Sequence, residues 1–119
     1  MSISLLVIIL LFVFVLYRSF SPTSSFYIFP DAVPDYLKKH KAILFDVRSQ
    51  SERLKSRHFL SRHLPIDRLV FDLERLVPNK DQPLVFCCKR GIRSHGAAVI
   101  AKDLGYTKVS YTGNCDDIV

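Results

Sequence analysis

The chain has 119 residues, a length that allows one folded domain and little else. Its hydrophobic fraction of 49% excludes an intrinsically disordered polymer. The formal net charge of +6 indicates a basic surface, but no nucleic-acid motif accompanies it, so we expect no nucleic-acid partner.

The first predicted element is an apolar helix at the N-terminus. Residues 5–17 form an unbroken apolar run, and a helix over residues 3–20 would be about 27 Å long. No basic residue precedes the run and no clear cleavage site follows it, which favours an uncleaved transmembrane anchor over residues 1–20 rather than a signal peptide. A lipid bilayer would then be a partner through residues 3–20. Because the basic residues all follow the run, we expect a single-pass protein with its domain in the cytoplasm rather than the periplasm.

A linker over residues 21–25 and a folded domain over residues 26–119 are predicted next. Strands are expected at residues 26–29, 42–45, 83–87 and 108–111. Helices are expected at residues 30–37, 51–55, 66–76 and 94–104, the last capped by Ser94. Apolar strands that alternate with helices predict an α/β fold with a mainly parallel sheet and helices on both faces. Ligands bind such sheets at the carboxyl ends of the strands.

A loop at one of these strand ends carries the candidate chemistry. Its residues are Cys88, Lys89, Arg90, Gly91, Ile92, Arg93 and Ser94. Backbone N–H groups in such a turn can form an anion-binding nest, to which the helix start adds its positive end. With three basic side chains nearby, Cys88 would have a lowered pKa and act as a nucleophile without a separate base. Arg93 is the candidate for orienting an anion through its forked donors.

Cys87 is the competing nucleophile. Counted from Cys87, five residues precede Arg93, which fits the Cys-x5-Arg-Ser signature of a phosphatase or arsenate-reductase-like enzyme. Cys88 is preferred because Cys87 occupies a strand position that calls for an apolar residue, and no general acid is evident nearby. Three cysteines, two of them adjacent, argue against a disulfide framework, so Cys87 and Cys115 are expected to be free thiols.

The same loop, with flanking segments, resembles the rhodanese family of sulfurtransferases, and its small single-domain phage-shock type in particular. The similarity lies in the strand and loop at 84–94, the strand ending in Asp-x-Arg at 43–48, and the Leu-Gly-Tyr segment at 104–109. Ser51-Glu52 and Arg57-His58-Phe59 resemble the Glu and Gly-His-Ile elements that follow the Asp-x-Arg strand in the family. Departures from the family pattern stand at Arg57, Ser61, Arg62 and Asn114.

The resemblance implies a persulfide cycle. Cys88 would take the outer sulfur of an anionic donor such as thiosulfate and pass it to cyanide or a thiol, and a protein acceptor is also compatible. The basic loop suits a dianion better than mercaptopyruvate. Residues 89–94 would bind the substrate, with supporting roles for Asp46, Arg48 and His58. No cofactor is implied, and the histidines show no metal spacing. A non-catalytic module that binds an anion or partner is the alternative from a different class.

Overall fold

A computed structural model of the chain describes residues 3–20 and 26–118. The helices are α1 (Ile3–Phe20), α2 (Val33–His40), α3 (Gln50–Lys55), α4 (Ile66–Leu76) and α5 (Ile92–Asp103). The strands are β1 (Phe26–Tyr27), β2 (Ile43–Asp46), β3 (Ser61–His63), β4 (Leu84–Cys88) and β5 (Val109–Asn114). Two 3₁₀ helices span Pro30–Ala32 and Cys115–Asp117. The predicted linker over residues 21–25 lies outside the described residues, as do residues 1–2 and residue 119.

The five strands form one sheet in the order β1-β5-β4-β2-β3, and every neighbouring pair is parallel. Side chains of a strand point alternately to the two faces of its sheet, and β4 is buried on both faces. Phe86 packs with α4 and α5 on one face, whereas Val85 packs with α2 on the other. The predicted α/β fold with a parallel sheet and helices on both faces is therefore confirmed.

The N-terminal apolar segment is helical, as predicted, and forms α1. Among residues 3–20 and 26–118, however, no helix is both long enough and apolar enough to cross a membrane. The predicted transmembrane helix is therefore not found.

The edge strand β3 was not predicted. Its residues are polar, and among the described strands it pairs only with β2, where Leu44 lies opposite Ser61. Its side chains bind neighbouring groups: Arg53 donates to Ser61 Oγ at 3.0 Å, and His63 Nε2 lies 2.8 Å from the carbonyl oxygen of Arg48. An edge strand held by polar contacts lacks the apolar pattern by which strands are predicted.

Cys87 and Cys115 form a disulfide, which corrects the expectation of free thiols. Adjacent residues of a strand face opposite sides of the sheet, so Cys87 points toward α2 while Cys88 points toward α5. The 3₁₀ helix after β5 places Cys115 beside Cys87, with their Cα atoms 5.2 Å apart. Cys88 is left as the free cysteine. The odd cysteine count thus reflects one disulfide and one free thiol.

Reduction of this disulfide is expected to lower the free energy of unfolding by about 3 to 4 kcal/mol, because the bond closes a loop across a sequence separation of 28 residues. Urea denaturation with and without reductant measures the difference. A Cys87→Ala/Cys115→Ala variant should be insensitive to the reductant, whereas Cys88→Ser should respond as the unaltered chain does. Equal midpoints for the unaltered chain in both conditions would contradict the assignment of the bond.

Candidate active site

The Cys88 thiol lies at the carboxyl end of the central strand β4, under the first turn of α5. Its side chain is buried. The backbone N–H of Gly91 donates to Cys88 Sγ at 3.0 Å, and the N–H of Ser94 donates at 3.4 Å. The loop therefore encloses the sulfur with N–H donors, which is the arrangement that stabilises a sulfur anion.

Ser94 is not the cap of α5, as the sequence suggested, because the N-cap position is occupied by Gly91. The Ser94 hydroxyl is turned inward instead and lies 3.4 Å from Cys88 Sγ. It donates to the carbonyl oxygen of Thr112 at 2.6 Å, and the Gly91 carbonyl lies 3.0 Å away. Ser94 thus ties the loop to β5 as well as contacting the sulfur.

The pKa of Cys88 is lowered from its ordinary value by the loop. Burial is the largest effect and opposes ionisation of the thiol. The Ser94 side chain and the backbone N–H groups of Ser94, Gly91 and Arg90 together outweigh it. The main stabilisation of the thiolate therefore comes from hydrogen bonds.

Gly91 is required by the loop because its φ of 89° lies in the left-handed region. Replacing Gly91 with alanine should destabilise the fold by about 1 to 2 kcal/mol. Because the strained loop would also misdirect the N–H donor, we expect the pKa of Cys88 to rise and its alkylation at neutral pH to slow. The pH dependence of alkylation by iodoacetamide measures this change. Gly105→Ala is the matched control, since Gly105 has a φ of 102° but is not a partner of the sulfur.

The basic side chains of the loop differ in how they are paired. A cavity of about 370 Å³ opens at Cys88 and is lined by Cys88, Lys89, Arg90, Ile92 and Arg93. Lys89 and Arg90 are exposed and form no ion pair within the described part of the chain. Arg93, in contrast, donates to both carboxylate oxygens of Glu52, at 2.6 and 2.9 Å. The hydrogen bond from Arg93 is the main reason why the pKa of Glu52 lies far below its usual range.

Asp46 and Arg48 lie together at the end of β2, but they brace α3 rather than the loop. Arg48 donates through Nε and Nη2 to the buried Asp46 carboxylate and through Nη2 to the carbonyl oxygen of Ser56. Arg53 Nη1 approaches the same carboxylate at 3.3 Å. The carboxylate also lies within 4.8 Å of the sulfurs of Cys87 and Cys115, which the disulfide already occupies.

His58 is placed away from the thiol. It lies between α3 and β3, where its Nδ1 accepts from the N–H of Leu60 at 3.2 Å and its ring stacks on Phe59. It lines a different cavity, shared with Arg53 and Arg57. His95, which follows Ser94 at the end of the loop, packs its ring edge-on against Tyr111.

Glu52 matches a glutamate of the family pattern but was not among the predicted site residues. A detectable signal existed, because Ser49-x-x-Glu52 is the capping-box pattern for the start of a helix. In the structure, Ser49 caps α3 and both reciprocal hydrogen bonds are present. The pattern predicts where α3 begins, but the ion pair with Arg93 depends on packing between segments 41 residues apart.

The fold and the loop together define a small α/β domain with a buried cysteine in an anion-binding turn. A sequence model of the family described as "Rhodanese-like domain" matches residues 29–113, so the chain belongs to the rhodanese-like domain family. None of the curated proteins compared with the chain is significantly similar to it. The finer resemblance to the phage-shock type is not supported by these comparisons.

Several solved structures share this fold. The chain is similar to reduced Bacillus anthracis CoADR-RHD, with a TM-score of 0.66 and 23% identity, covering 79% of this chain and 16% of that one. It is similar to a rhodanese with anions from E. coli, with a TM-score of 0.59 and 25% identity, covering 66% of this chain and 92% of that one. It is also similar to the human single-domain sulfurtransferase TSTD1, with a TM-score of 0.61 and 24% identity, covering 77% of this chain and 90% of that one.

Proposed function

We propose that the chain is a sulfurtransferase that carries sulfur as a persulfide on Cys88. The observation that carries the proposal is the free thiol at a strand end, with the N–H groups of Gly91 and Ser94 directed at its sulfur. These donors favour the thiolate, which is the nucleophilic form.

Thiosulfate is the proposed donor. The Cys88 thiolate attacks the outer sulfur of thiosulfate, a sulfur–sulfur bond forms, and the bond between the two thiosulfate sulfurs breaks. Sulfite leaves with the electron pair of that bond, and the negative charge of the thiolate passes to the terminal sulfur of the persulfide. Cyanide or a thiol then takes this sulfur and regenerates the Cys88 thiolate. Lys89 and Arg90, exposed at the cavity, attract the dianion.

Two observations support sulfur transfer over a phosphatase reaction at Cys87. The Cys87 sulfur is engaged in the disulfide, so the Cys-x5-Arg-Ser count starts from a residue without a free thiol. Human TSTD1, whose structure is similar to this one, is a single-domain sulfurtransferase. A phosphatase reaction that uses Cys88 is therefore the competing activity to test.

The test uses the full chain. Incubation with thiosulfate should add the mass of one sulfur atom to the intact protein, and peptide mapping should place it on Cys88. Cyanide should remove it and yield thiocyanate, while mercaptopyruvate should load the protein more slowly. Sulfur on a different residue, or no loading together with hydrolysis of p-nitrophenyl phosphate, would overturn the proposal.

A further inference from the structure

An acidic side chain competes for the best anion-binding group of the cavity. Glu52 accepts two hydrogen bonds from the Arg93 guanidinium, and the two side chains are only partly exposed, at 27% and 36%. This two-bond geometry is also the way in which a guanidinium binds an oxyanion. The sulfonate end of a donor would therefore need the same N–H groups that Glu52 already occupies.

The Glu52 carboxylate is held in place by its own surroundings. The N–H and the hydroxyl of Ser49 lie 3.1 and 3.0 Å from Oε1. The helix α3 that carries Glu52 is fixed to β3 by Arg53, which donates to Ser61 Oγ and to the Ser61 carbonyl oxygen at 3.0 and 2.9 Å. These contacts position the carboxylate before any ligand binds. The ion pair between Glu52 and Arg93 is therefore present in the site without a ligand.

The Arg93 guanidinium also interacts electrostatically with the Cys88 thiolate. The hydrogen bond to Glu52 is the largest effect that raises the pKa of Arg93, and the charge of Cys88 raises it further. A change in the charge beside Arg93 is therefore transmitted to the thiol, on which the reactivity of the site depends.

We propose that Glu52 is a positioning residue that withholds Arg93 from the donor anion, and so limits how tightly the cavity binds dianions. The inference rests on the proposed function, since it concerns donor binding at that same site. In the resting site, Lys89 and Arg90 supply the free positive charge, and Arg93 contributes little net charge. Weak dianion binding suits a cycle in which one dianion enters as donor and another, sulfite, has to leave.

Glu52→Gln tests the proposal with a near-isosteric change, because glutamine keeps an oxygen for Ser49 and Arg93 but removes the charge. Sulfate is the probe, and the readout is its protection of Cys88 against iodoacetamide. We expect half-protection at a sulfate concentration about three- to tenfold lower than in the unaltered chain. Without sulfate, the alkylation profile should shift to lower pH by about half a unit, because Arg93 is no longer neutralised.

Two further variants separate charge from structure. Glu74→Gln makes the same change of net charge at an exposed residue of α4 paired with Lys80, and should leave protection and the pH profile unchanged. Glu52→Asp keeps the charge and should return the pH profile toward that of the unaltered chain. Unchanged or weaker sulfate protection in Glu52→Gln, with an unchanged pH profile, would overturn the proposal. Alkylation needs no turnover, so a chain that forms no persulfide still tests the role of Glu52.

Discussion

Replacing Cys88 with serine is expected to reduce thiosulfate–cyanide turnover to the level of the uncatalysed reaction. A serine hydroxyl is not ionised near neutral pH, and its oxygen cannot carry sulfur as a persulfide. The N–H groups of Gly91 and Ser94 would then face a neutral oxygen instead of a thiolate. The measurements are the rate of thiocyanate formation and the intact mass after incubation with thiosulfate, which should show no added sulfur.

The matched control removes the other two cysteines and keeps the nucleophile. Cys87→Ala/Cys115→Ala loses the disulfide but retains the Cys88 thiol in its turn, so it should still gain one sulfur under conditions where it is folded. Circular dichroism of both variants checks folding. If folded Cys88→Ser turns over thiosulfate while the folded double variant cannot be loaded, the nucleophile has been assigned to the wrong residue.

The elements with a strong periodic pattern could be predicted from the sequence. The helix predicted at residues 66–76 is α4, with Leu69 and Leu73 buried as the spacing requires. The continuous apolar strand before the cysteine loop is β4, which is buried along its whole length. Both signals come from side chains whose burial repeats at the period of their own element, so no knowledge of distant segments is needed.

The disulfide could not be predicted in the same way. It depends on two facts about neighbouring strands: Cys87 faces the side of the sheet opposite to Cys88, and the chain turns after β5 so that Cys115 returns to that side. The pairing register of β4 with β5 is also irregular between Phe86 and Cys88. These are consequences of the assembled sheet, and cysteine counting alone contains none of them.

The positions of Cys88 and its loop could be predicted from the sequence, but the number of unpaired positive charges beside the thiol could not. Spacing placed Cys88 at a strand end and the loop at the start of a helix, as the structure has them. Three free positive charges were expected there, but Glu52 neutralises one of them by binding Arg93. A long-range ion pair of this kind has no local pattern in the sequence, which is why the pairing of Arg93 with Glu52 was not predicted.

Asp46→Asn is expected to lower the free energy of unfolding by about 3 to 5 kcal/mol, the cost of breaking a buried ion pair by removing one partner. Asp46 is fully buried, and Arg48 beside it is only 3% exposed, so the guanidinium would lose its main counter-charge where water cannot replace it. Among the described residues it would keep only the more distant Asp116, at 3.6 Å, as an ion-pair partner. Urea denaturation measures the change. Asp72→Asn, which removes a helix-surface partner of Arg68, should have a much smaller effect.

Asp46→Asn should also change anion binding in the cavity at Cys88, by way of α3. The Asp46 carboxylate pairs with Arg53, and Arg53 in turn attaches α3 to β3. Glu52, which binds Arg93, lies on the same helix. Loss of the Asp46 charge should therefore weaken the ion pair between Glu52 and Arg93. We therefore expect folded Asp46→Asn to show tighter sulfate protection of Cys88, in the same direction as Glu52→Gln but smaller. Loss of stability with unchanged sulfate protection would show that Asp46 stabilises the fold without positioning Glu52. Asp46 forms no hydrogen bond or ion pair with residues 88–94 in the described part of the chain, but its charge acts directly on Arg93, so the substitution can reach Cys88 through that charge as well as through α3.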